Sequence, residues 1–303
     1  TTTGNISLSA ATITDANAGT NNLTADELRI VTTGTANGDG AGTGSDHLEL
    51  NVAKLAADVK GTGTGGLYLT EASALQIGTL NAINVNKVGT DGTTLTATTD
   101  AAQSNLNSAS NLVVVTTNGG IETLASGGAT TAAGNLLLSA GGLTSDLTLG
   151  GTVTNTAGHT SLAAGRDILV NANISATTVE RKTIDLSAGD DIIMGASTTI
   201  SSTNGNIRLE ATNTNAADDA TTNGIALRTI TAGTGHVALI TGTAGSIVDA
   251  ANTADANITA NGLIMTAGTG IGSGTNHIDT TVTTLTATAG AGGVFVTESD
   301  TLV

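Results

Sequence analysis

Hydrophobic and polar residues alternate along most of this chain in short runs that end at glycine, asparagine or aspartate. The clearest example is a phrase that occurs twice, as Ser161–Val170 and again, 24 residues later, as Asp185–Met194. Alternation with a period of two is typical of half-buried β-strands, and glycine-containing breaks are typical of turns. A phrase that returns after 20 to about 50 residues indicates a repeat fold, in which each copy is one turn of a solenoid.

One inward-facing aliphatic position can be followed through the chain at intervals that average about 23 residues. The proposed positions are Leu8, Ile30, Leu55, Ile77, Leu95, Val115, Leu138, Leu162, Leu186, Leu209, Leu239, Met265 and Leu285. Between Leu55 and Leu95 the register stays open, because Leu69 and Leu75 compete with Ile77. The pattern predicts an all-β fold, a single parallel β-helix of about 13 turns with roughly 23 residues each.

The longest interval in this ladder follows Leu209 and contains the polar segment Thr212–Asn223, in which alanine is the only apolar residue type. We expect this segment to bulge from a corner without breaking the stack, as insertions in solenoids do.

A longer repeat overlies the short one. Its matching segments are Leu23–Thr32 with Ile258–Ala267, Gly42–Glu49 with Gly272–Asp279, and Gly65–Glu71 with Gly292–Glu298. We therefore expect residues 1–303 to form one continuous β-helix, with an internal module of about 230 residues whose second copy begins near residue 246. Because the sequence starts inside a repeat-like phrase, we also expect it to be a section of a longer protein.

Composition favours a thin core over a thick one. The chain has 41 Gly, no Pro, Cys or Trp, one tyrosine (Tyr68) and one phenylalanine (Phe295). A compact globule of this length uses aromatic bulk to fill its core, whereas a narrow solenoid needs only small and aliphatic side chains. The net charge of −16 disfavours nucleic acid and anionic membranes as partners, because both bind basic surfaces. No apolar run is long enough to span a bilayer.

Several phrases resemble the repeat region of filamentous-haemagglutinin-type large exoproteins. They are Gly4–Ala10, Gly134–Ala140 and Gly205–Ala211, the Ala-Gly-Arg/Asp-Asp-Ile pair at 164–168 and 188–192, and Thr284–Glu298. This resemblance implies a right-handed parallel β-helix, secretion through a partner pore in the outer membrane, and display as an adhesin. The secretion domain of that family is not visible in the sequence.

Two sets of residues suggest cation chemistry. Gly42–Leu48 matches the core of a calcium-binding nonapeptide, but it stands alone, and in the second copy asparagine replaces its Asp46. The short repeat should stack Asp167 against Asp191 on neighbouring turns, where like charges repel. Either Arg166 neutralises this corner or a cation with oxygen ligands does, and the first alternative is the more economical.

Enzymatic chemistry finds little support. The doublets Asp190–Asp191 and Asp218–Asp219 are reminiscent of pectin-cleaving β-helices, but no basic residue accompanies the second, and stacking aromatics are missing. The four histidines are scattered without metal-ligand or triad spacing. Ice binding needs rows of outward threonine pairs, and the strand around Leu95 and Leu285 does not keep such a row through the intervening turns. We therefore predict no catalytic, cofactor-binding or metal-binding residues.

These inferences together predict a non-enzymatic stalk or fibre section of a large bacterial adhesin, located at the cell surface or secreted from a Gram-negative-type bacterium. Its expected partners are neighbouring modules of the same chain and surface or matrix components, with no nucleic acid and no membrane insertion. The alternative is a carbohydrate-binding or polysaccharide-cleaving β-helix.

Overall fold

The structure is a computed structural model that describes residues 4–17, 19–177, 181–212 and 224–303. The described residues form 31 β-strands and no helix. Of these strands, 29 belong to one continuous sheet, and the other two form a separate hairpin. Every pairing within the large sheet is parallel, as expected for the β-solenoid that the alternating pattern predicts.

The strands are numbered in chain order. Their bounds are β1 Ile6–Ala10, β2 Leu23–Thr32, β3 Gly40–Ala41, β4 Leu48–Val59, β5 Gly66–Glu71, β6 Leu75–Ile77, β7 Ile83–Val88, β8 Leu95–Asp100, β9 Leu106–Ser108, β10 Asn111–Thr116, β11 Ile121–Thr123, β12 Thr130–Ala132, β13 Leu136–Ala140, β14 Leu147–Leu149, β15 Val153–Asn155, β16 Thr160–Ala164, β17 Ile168–Val170, β18 Ile174–Ala176, β19 Ile184–Ala188, β20 Ile192–Met194, β21 Thr199–Ser202, β22 Ile207–Ala211, β23 Gly224–Leu227, β24 Thr229–Thr231, β25 His236–Thr241, β26 Ser246–Asp249, β27 Ile258–Ala267, β28 Gly270–Ile271, β29 Ile278–Ala289, β30 Gly293–Val294 and β31 Val296–Glu298.

Three strands make up one regular turn, and each belongs to a different face of the solenoid. Face A contains β5, β10, β13, β16, β19, β22, β25 and the C-terminal halves of β27 and β29. Face B contains β6, β11, β14, β17, β20, β23, β26, β28 and β30. Face C contains β9, β12, β15, β18, β21, β24 and the N-terminal halves of β27 and β29.

The core runs along the axis as columns of identical or similar side chains. On face A, Leu138, Leu162 and Leu186 pair in register on successive turns, and Leu209 and Leu239 continue the column. These leucines are buried, whereas the residues on either side of them point outward. Each buried leucine contributes about 1.5–3 kcal/mol relative to an exposed one, so every turn is stabilised mainly by its contact with the next.

The structure corrects the predicted turn count. The stack has about 11 turns, fewer than the 13 inferred from the leucine ladder. The main error is Leu95, which was expected to face the core but lies on the antiparallel hairpin of β7 and β8 with 61% of its surface exposed. This hairpin projects between β6 on face B and β9 on face C, so its residues add chain length without adding a turn.

Ile77, where the register was open, lies on face B, and its competitor Leu69 occupies the face A column beside Val114. Three other ladder positions are shifted by one or two residues. The inward residue of β10 is Val114, which pairs with Leu138, and Val115 faces outward. Leu55 pairs with Leu28 in the register that places Ile30 beside Ala57. At the far end, Leu285 pairs with Leu263 and not with Met265. From Leu138 to Met265 the predicted ladder is confirmed.

The segments that the sequence relates as a long repeat occupy different faces. Within Gly65–Glu71, β5 lies on face A, whereas the matching Gly292–Glu298 is divided between β30 on face B and β31, which pairs with the face C half of β29. The separation between the matching segments is therefore not a whole number of turns. Every face presents the same parallel hydrogen-bonding ladder to the next turn, so a segment can pair with its neighbours whichever face it occupies.

Candidate functional site

The densest group of charged side chains lies at the corner between faces A and B. Asp146, Asp167 and Asp191 each immediately precede a face B strand, on three successive turns. Each carboxylate accepts a backbone N–H from the turn above: Asp167 N donates to Asp146 Oδ1 over 3.3 Å, and Asp191 N to Asp167 Oδ1 over 3.2 Å. The column ends where Gly224 N donates to Asp191 Oδ1.

Arg166 supplies positive charge to this corner. Its Nε lies 2.7 Å from Asp146 Oδ1 and its Nη2 lies 2.6 Å from Asp146 Oδ2, a bidentate ion pair between neighbouring turns. The same Nε lies 3.3 Å from Asp167 Oδ2. The geometry therefore fits the first of the two explanations offered for stacked aspartates, in which Arg166 offsets their repulsion.

The pKa of Asp167 is raised to about 6, mainly by burial. The charges of Asp146 and Asp190 act in the same direction, whereas the hydrogen bond from Asp191 N and the charge of Arg166 oppose the rise. The residue is only 8% exposed, and Asp190 and Asp191 are more deeply buried still. A polysaccharide bound outside the solenoid would not reach these carboxylates. Their hydrogen bonds to backbone N–H groups indicate that they hold the corner together.

A second column of hydrogen bonds lies at the corner between faces C and A, and one of its members is a histidine. Asn111 Oδ1 accepts Asn135 N over 2.9 Å, and Asn135 Oδ1 accepts His159 N over 3.0 Å. His159 Nδ1 then accepts Thr183 N over 3.1 Å. The imidazole thus takes the place of an asparagine amide in capping the next turn.

The candidate calcium loop and its second copy form a matching pair of corners. In the first, Thr43 and Asp46 close the loop with backbone hydrogen bonds in both directions, and Ser273 and Asn276 do the same in the second. His47 Nδ1 lies 2.9 Å from Thr70 Oγ1, with its ring 5.9 Å from that of Tyr68.

The second corner repeats these contacts with different side chains. His277 Nδ1 lies 2.9 Å from Thr297 Oγ1, and its ring centroid lies 6.0 Å from that of Phe295. Since asparagine and phenylalanine replace aspartate and tyrosine without changing the loop, the geometry does not depend on a carboxylate. Within the described residues, no three His, Cys, Asp or Glu side chains come together as a metal-binding group.

A polar cleft of about 280 Å³ opens at the corner between faces B and C. The residues that line it include Arg228, Asp255, Asn257, Thr229 and Thr253. Arg228 forms no ion pair with another described residue, and its Nε is buried without a hydrogen-bond partner. The cleft can therefore offer both a cation and hydroxyl groups to a small polar ligand.

Two of the sequence-derived candidates cannot be placed. The loop predicted at Thr212–Asn223, which includes Asp218–Asp219, lies outside the described residues beyond Thr212.

In the described part of the chain, no helix is long and apolar enough to cross a bilayer. Comparisons with known protein families, with curated proteins and with solved structures found no match for this chain.

Sequence reasoning missed two participants in these corners. Asp146 is the main partner of Arg166, but its surrounding residues do not match the repeated phrase. A shared feature could have revealed it, since Asp146-Leu147, Asp167-Ile168 and Asp191-Ile192 all place aspartate before an aliphatic residue. Arg228 and its cleft had no such signal, because three separate turns supply the lining.

Proposed function

We propose that this chain is a structural stalk or fibre section of a large bacterial adhesin, displayed at the cell surface or secreted, without enzymatic activity. The observation that carries the proposal is the continuous parallel sheet of 29 strands among the described residues. Such a stack can be lengthened turn by turn without enlarging its cross-section, whereas a globular core cannot. The resemblance of the repeat phrases to filamentous-haemagglutinin-type exoproteins points to the same role.

The charge distribution suits a rod that stays separate from its copies. The net charge is −16, and side chains on the outer surfaces, such as Glu122 on face B and Glu210 on face A, contribute to it. Mutual repulsion between acidic rods opposes lateral aggregation. Neighbouring modules of the same chain and surface or matrix components are the partners that this function requires.

Excision of one turn tests the proposal directly. Residues Leu136 and Thr160 pair in register on adjacent turns, so deletion of 136–159 removes one turn and joins equivalent positions. We expect the shortened chain to fold and to lose about 4.8 Å of length, measured by small-angle X-ray scattering. In a display assay, the distance between a cell-surface anchor and a C-terminal tag should shorten by the same amount.

The control deletion removes 136–147, which is about half a turn and puts face A strands against face B strands. We expect this variant to be unfolded or strongly destabilised. If both deletions folded equally well, or if the whole-turn deletion abolished folding, a modular stalk would be the wrong description.

Carbohydrate binding is a second candidate, and the cleft around Arg228 favours it. Arg228 pairs with no carboxylate among the described residues, so its guanidinium can bind an acidic sugar, with Thr229 and Thr253 as further hydrogen-bonding residues. Binding to an array of acidic polysaccharides that disappears in Arg228→Ala would support this function. An array with no signal for the unaltered chain would count against it.

A further inference from the structure

The cleft around Arg228 owes its shape to three corner connections of unequal length. Between faces B and C, the connection of one turn is residues 195–198, that of the next turn is Arg228 alone, and that of the third is residues 250–257. A corner of one residue between two longer ones leaves a gap in the outline of the rod. Residues from all three connections line this gap, which is the cleft of about 280 Å³.

Hydrogen bonds between the turns hold the floor of the cleft in place. The side chain of Asn257, which is 3% exposed, donates from Nδ2 to Asp249 Oδ1 over 3.0 Å and to Arg228 O over 3.3 Å. Its Oδ1 accepts Asp279 N over 2.9 Å, and Asp249 Oδ1 also accepts Ala251 N over 2.8 Å. These bonds fix the cleft before a ligand arrives, which lowers the entropy cost of binding.

Two residues beside the cleft have a strained backbone. Ser197, which lines it, has a φ of +60°, and Asn252, between the lining residues Ala251 and Thr253, has a φ of +50°. They are two of the four described non-glycine residues with a positive φ. Residues other than glycine rarely adopt this left-handed conformation, and such strain concentrates at binding sites. Its position here is therefore independent support for a site at this corner.

The side chain of Arg228 is open to a ligand, in contrast to those of two other arginines. Arg166 and Arg208 each pair with two carboxylates, whereas no described carboxylate pairs with Arg228. Its contacts with the adjacent turns use backbone atoms, because the N–H donates to Met194 Sδ over 3.5 Å and the carbonyl accepts Asn257 Nδ2. An unpaired guanidinium favours an anion, and a planar carboxylate matches it with two parallel hydrogen bonds.

The other lining residues favour hydroxyl groups on the same ligand. Asp255 lines the cleft and is exposed, so its carboxylate can accept hydrogen bonds from hydroxyls but repels a second negative charge. Thr229 and Thr253 can both donate and accept. The volume lies just below the range of about 300–1,000 Å³ found for drug-sized ligands, which suits one sugar ring and excludes an oligosaccharide. One carboxylate and several hydroxyls on a single ring describe a hexuronate.

We propose that the cleft at Arg228 binds a single hexuronate residue, with its carboxylate on Arg228 and its ring hydroxyls on Asp255 and the two threonines. This inference rests on carbohydrate binding, the second candidate function, and names the sugar class and the number of residues that are recognised. Free glucuronate and a glucuronate at the end of a glycan present the same chemistry. The stalk function does not depend on it.

Saturation-transfer difference NMR with D-glucuronate tests the proposal. We expect saturable binding at one site, and at least about tenfold weaker binding of glucose, which lacks the carboxylate, and of acetate, which lacks the ring. Arg228→Gln should weaken glucuronate binding at least about tenfold while keeping the backbone contacts of residue 228. Asp255→Ala should weaken the binding of glucuronate but not of acetate, because acetate has no hydroxyl to donate.

The matched control is Arg208→Gln on face A, which should bind glucuronate like the unaltered chain. Equal affinities of the unaltered chain for glucuronate, glucose and acetate would overturn the proposal, and so would equal affinities of the Arg228→Gln and Arg208→Gln variants for glucuronate. Competition by a disaccharide with a terminal glucuronate would identify a glycan end as the source, and its failure to compete would identify the free acid.

The polysaccharide array separates failure of this inference from failure of the function on which it rests. Array signals that persist in Arg228→Gln, together with no binding of glucuronate, would overturn the hexuronate site and leave carbohydrate binding in place. No binding of either glucuronate or any polysaccharide would overturn both. Deletion of residues 136–159 tests the stalk function separately.

Discussion

The turns between Leu136 and Ala211 and the segment between Gly78 and Asn105 follow different rules within one molecule. In the former, equivalent residues recur every 23 or 24 residues on face A, and the outward and inward positions alternate without exception in β13, β16, β19 and β22. In the latter, β7 and β8 pair only with each other and are exposed on both sides. Alternation alone does not distinguish these regions, because it specifies a strand and not its partner.

Burial creates the largest expected difference between the two regions. Leu186→Asp places an unpaired charge in the core and should destabilise the fold by at least about 4 kcal/mol. Leu95→Asp alters a leucine that is 61% exposed on the hairpin and should change stability by less than about 0.5 kcal/mol. Urea unfolding followed by circular dichroism measures both, and similar losses would contradict the assignment of Leu95 to an exposed hairpin.

Aspartates in the two regions should respond to pH in opposite directions. The pKa of Asp167 is raised to about 6 by burial, so the folded protein binds this proton more tightly than the unfolded chain, whose value is near 3.8. Its contribution to stability should therefore increase as the pH falls from 7 towards 4, by at most about 3 kcal/mol. Asp167→Asn should remove this rise from thermal melts recorded across the range.

Hydrogen bonds from Thr94 and Thr93 lower the pKa of Asp91, in the exposed turn of the hairpin, to about 2. Its contribution is present above pH 4 and is lost as the pH falls towards 2. Amide protection factors in the hairpin, which correct for the intrinsic pH dependence of exchange, should consequently fall only at strongly acidic pH. The same pH dependence in Asp91→Asn as in Asp167→Asn would show that position in the stack does not control these groups.

Charged side chains should contribute to stability in the stacked turns but not on the hairpin. Arg166→Ala leaves the carboxylates of Asp146 and Asp167 close together without their shared cation, and we expect a loss of about 1–3 kcal/mol in metal-free buffer. Lys87→Ala on the exposed strand β7 serves as the control and should be neutral. An unchanged melting temperature for Arg166→Ala would contradict the ion-pair account of this corner.

The smallest effect concerns the corner column at His159. His159→Ala removes the acceptor for Thr183 N and should cost about 1 kcal/mol. His159→Asn restores an acceptor of the kind used by Asn135 one turn below and should recover most of this loss in chemical denaturation. Equal stability of the two variants would show that the ring contributes through packing alone.

The fold could be predicted from the sequence wherever successive turns contain the same number of residues. Leu138, Leu162 and Leu186 could be aligned because nothing interrupts the interval between them. Leu95 fits the same spacing by coincidence, since its hairpin fills about one turn of chain. The pair Asp91-Gly92 between two alternating runs was the available signal, because it favours a tight turn joining antiparallel strands, and Gly92 has a φ of +72°.

Only part of the side-chain pairing at the corner between faces A and B could be predicted from the sequence. Stacking of Asp167 and Asp191 followed from the short repeat, but the partner of Arg166 depends on which carboxylate the preceding turn presents. The outward residues of face C could not be aligned from alternation, because three-residue strands such as β15 and β18 show one outward residue each. Only the register between turns converts those single residues into a surface.

Distances between spin labels test the stacked-turn account most directly, and the absence of cysteine makes double labelling simple. Ser139, Ile240 and Thr288 occupy one outward column of face A, with Ile240 four turns and Thr288 six turns from Ser139. At about 4.8 Å per turn, the backbone separations should be about 19 Å for Ser139/Ile240 and about 29 Å for Ser139/Thr288. Two narrow distributions in this ratio are the predicted result, whereas broad distributions, or a Ser139/Thr288 distance no longer than that of Ser139/Ile240, would contradict the account.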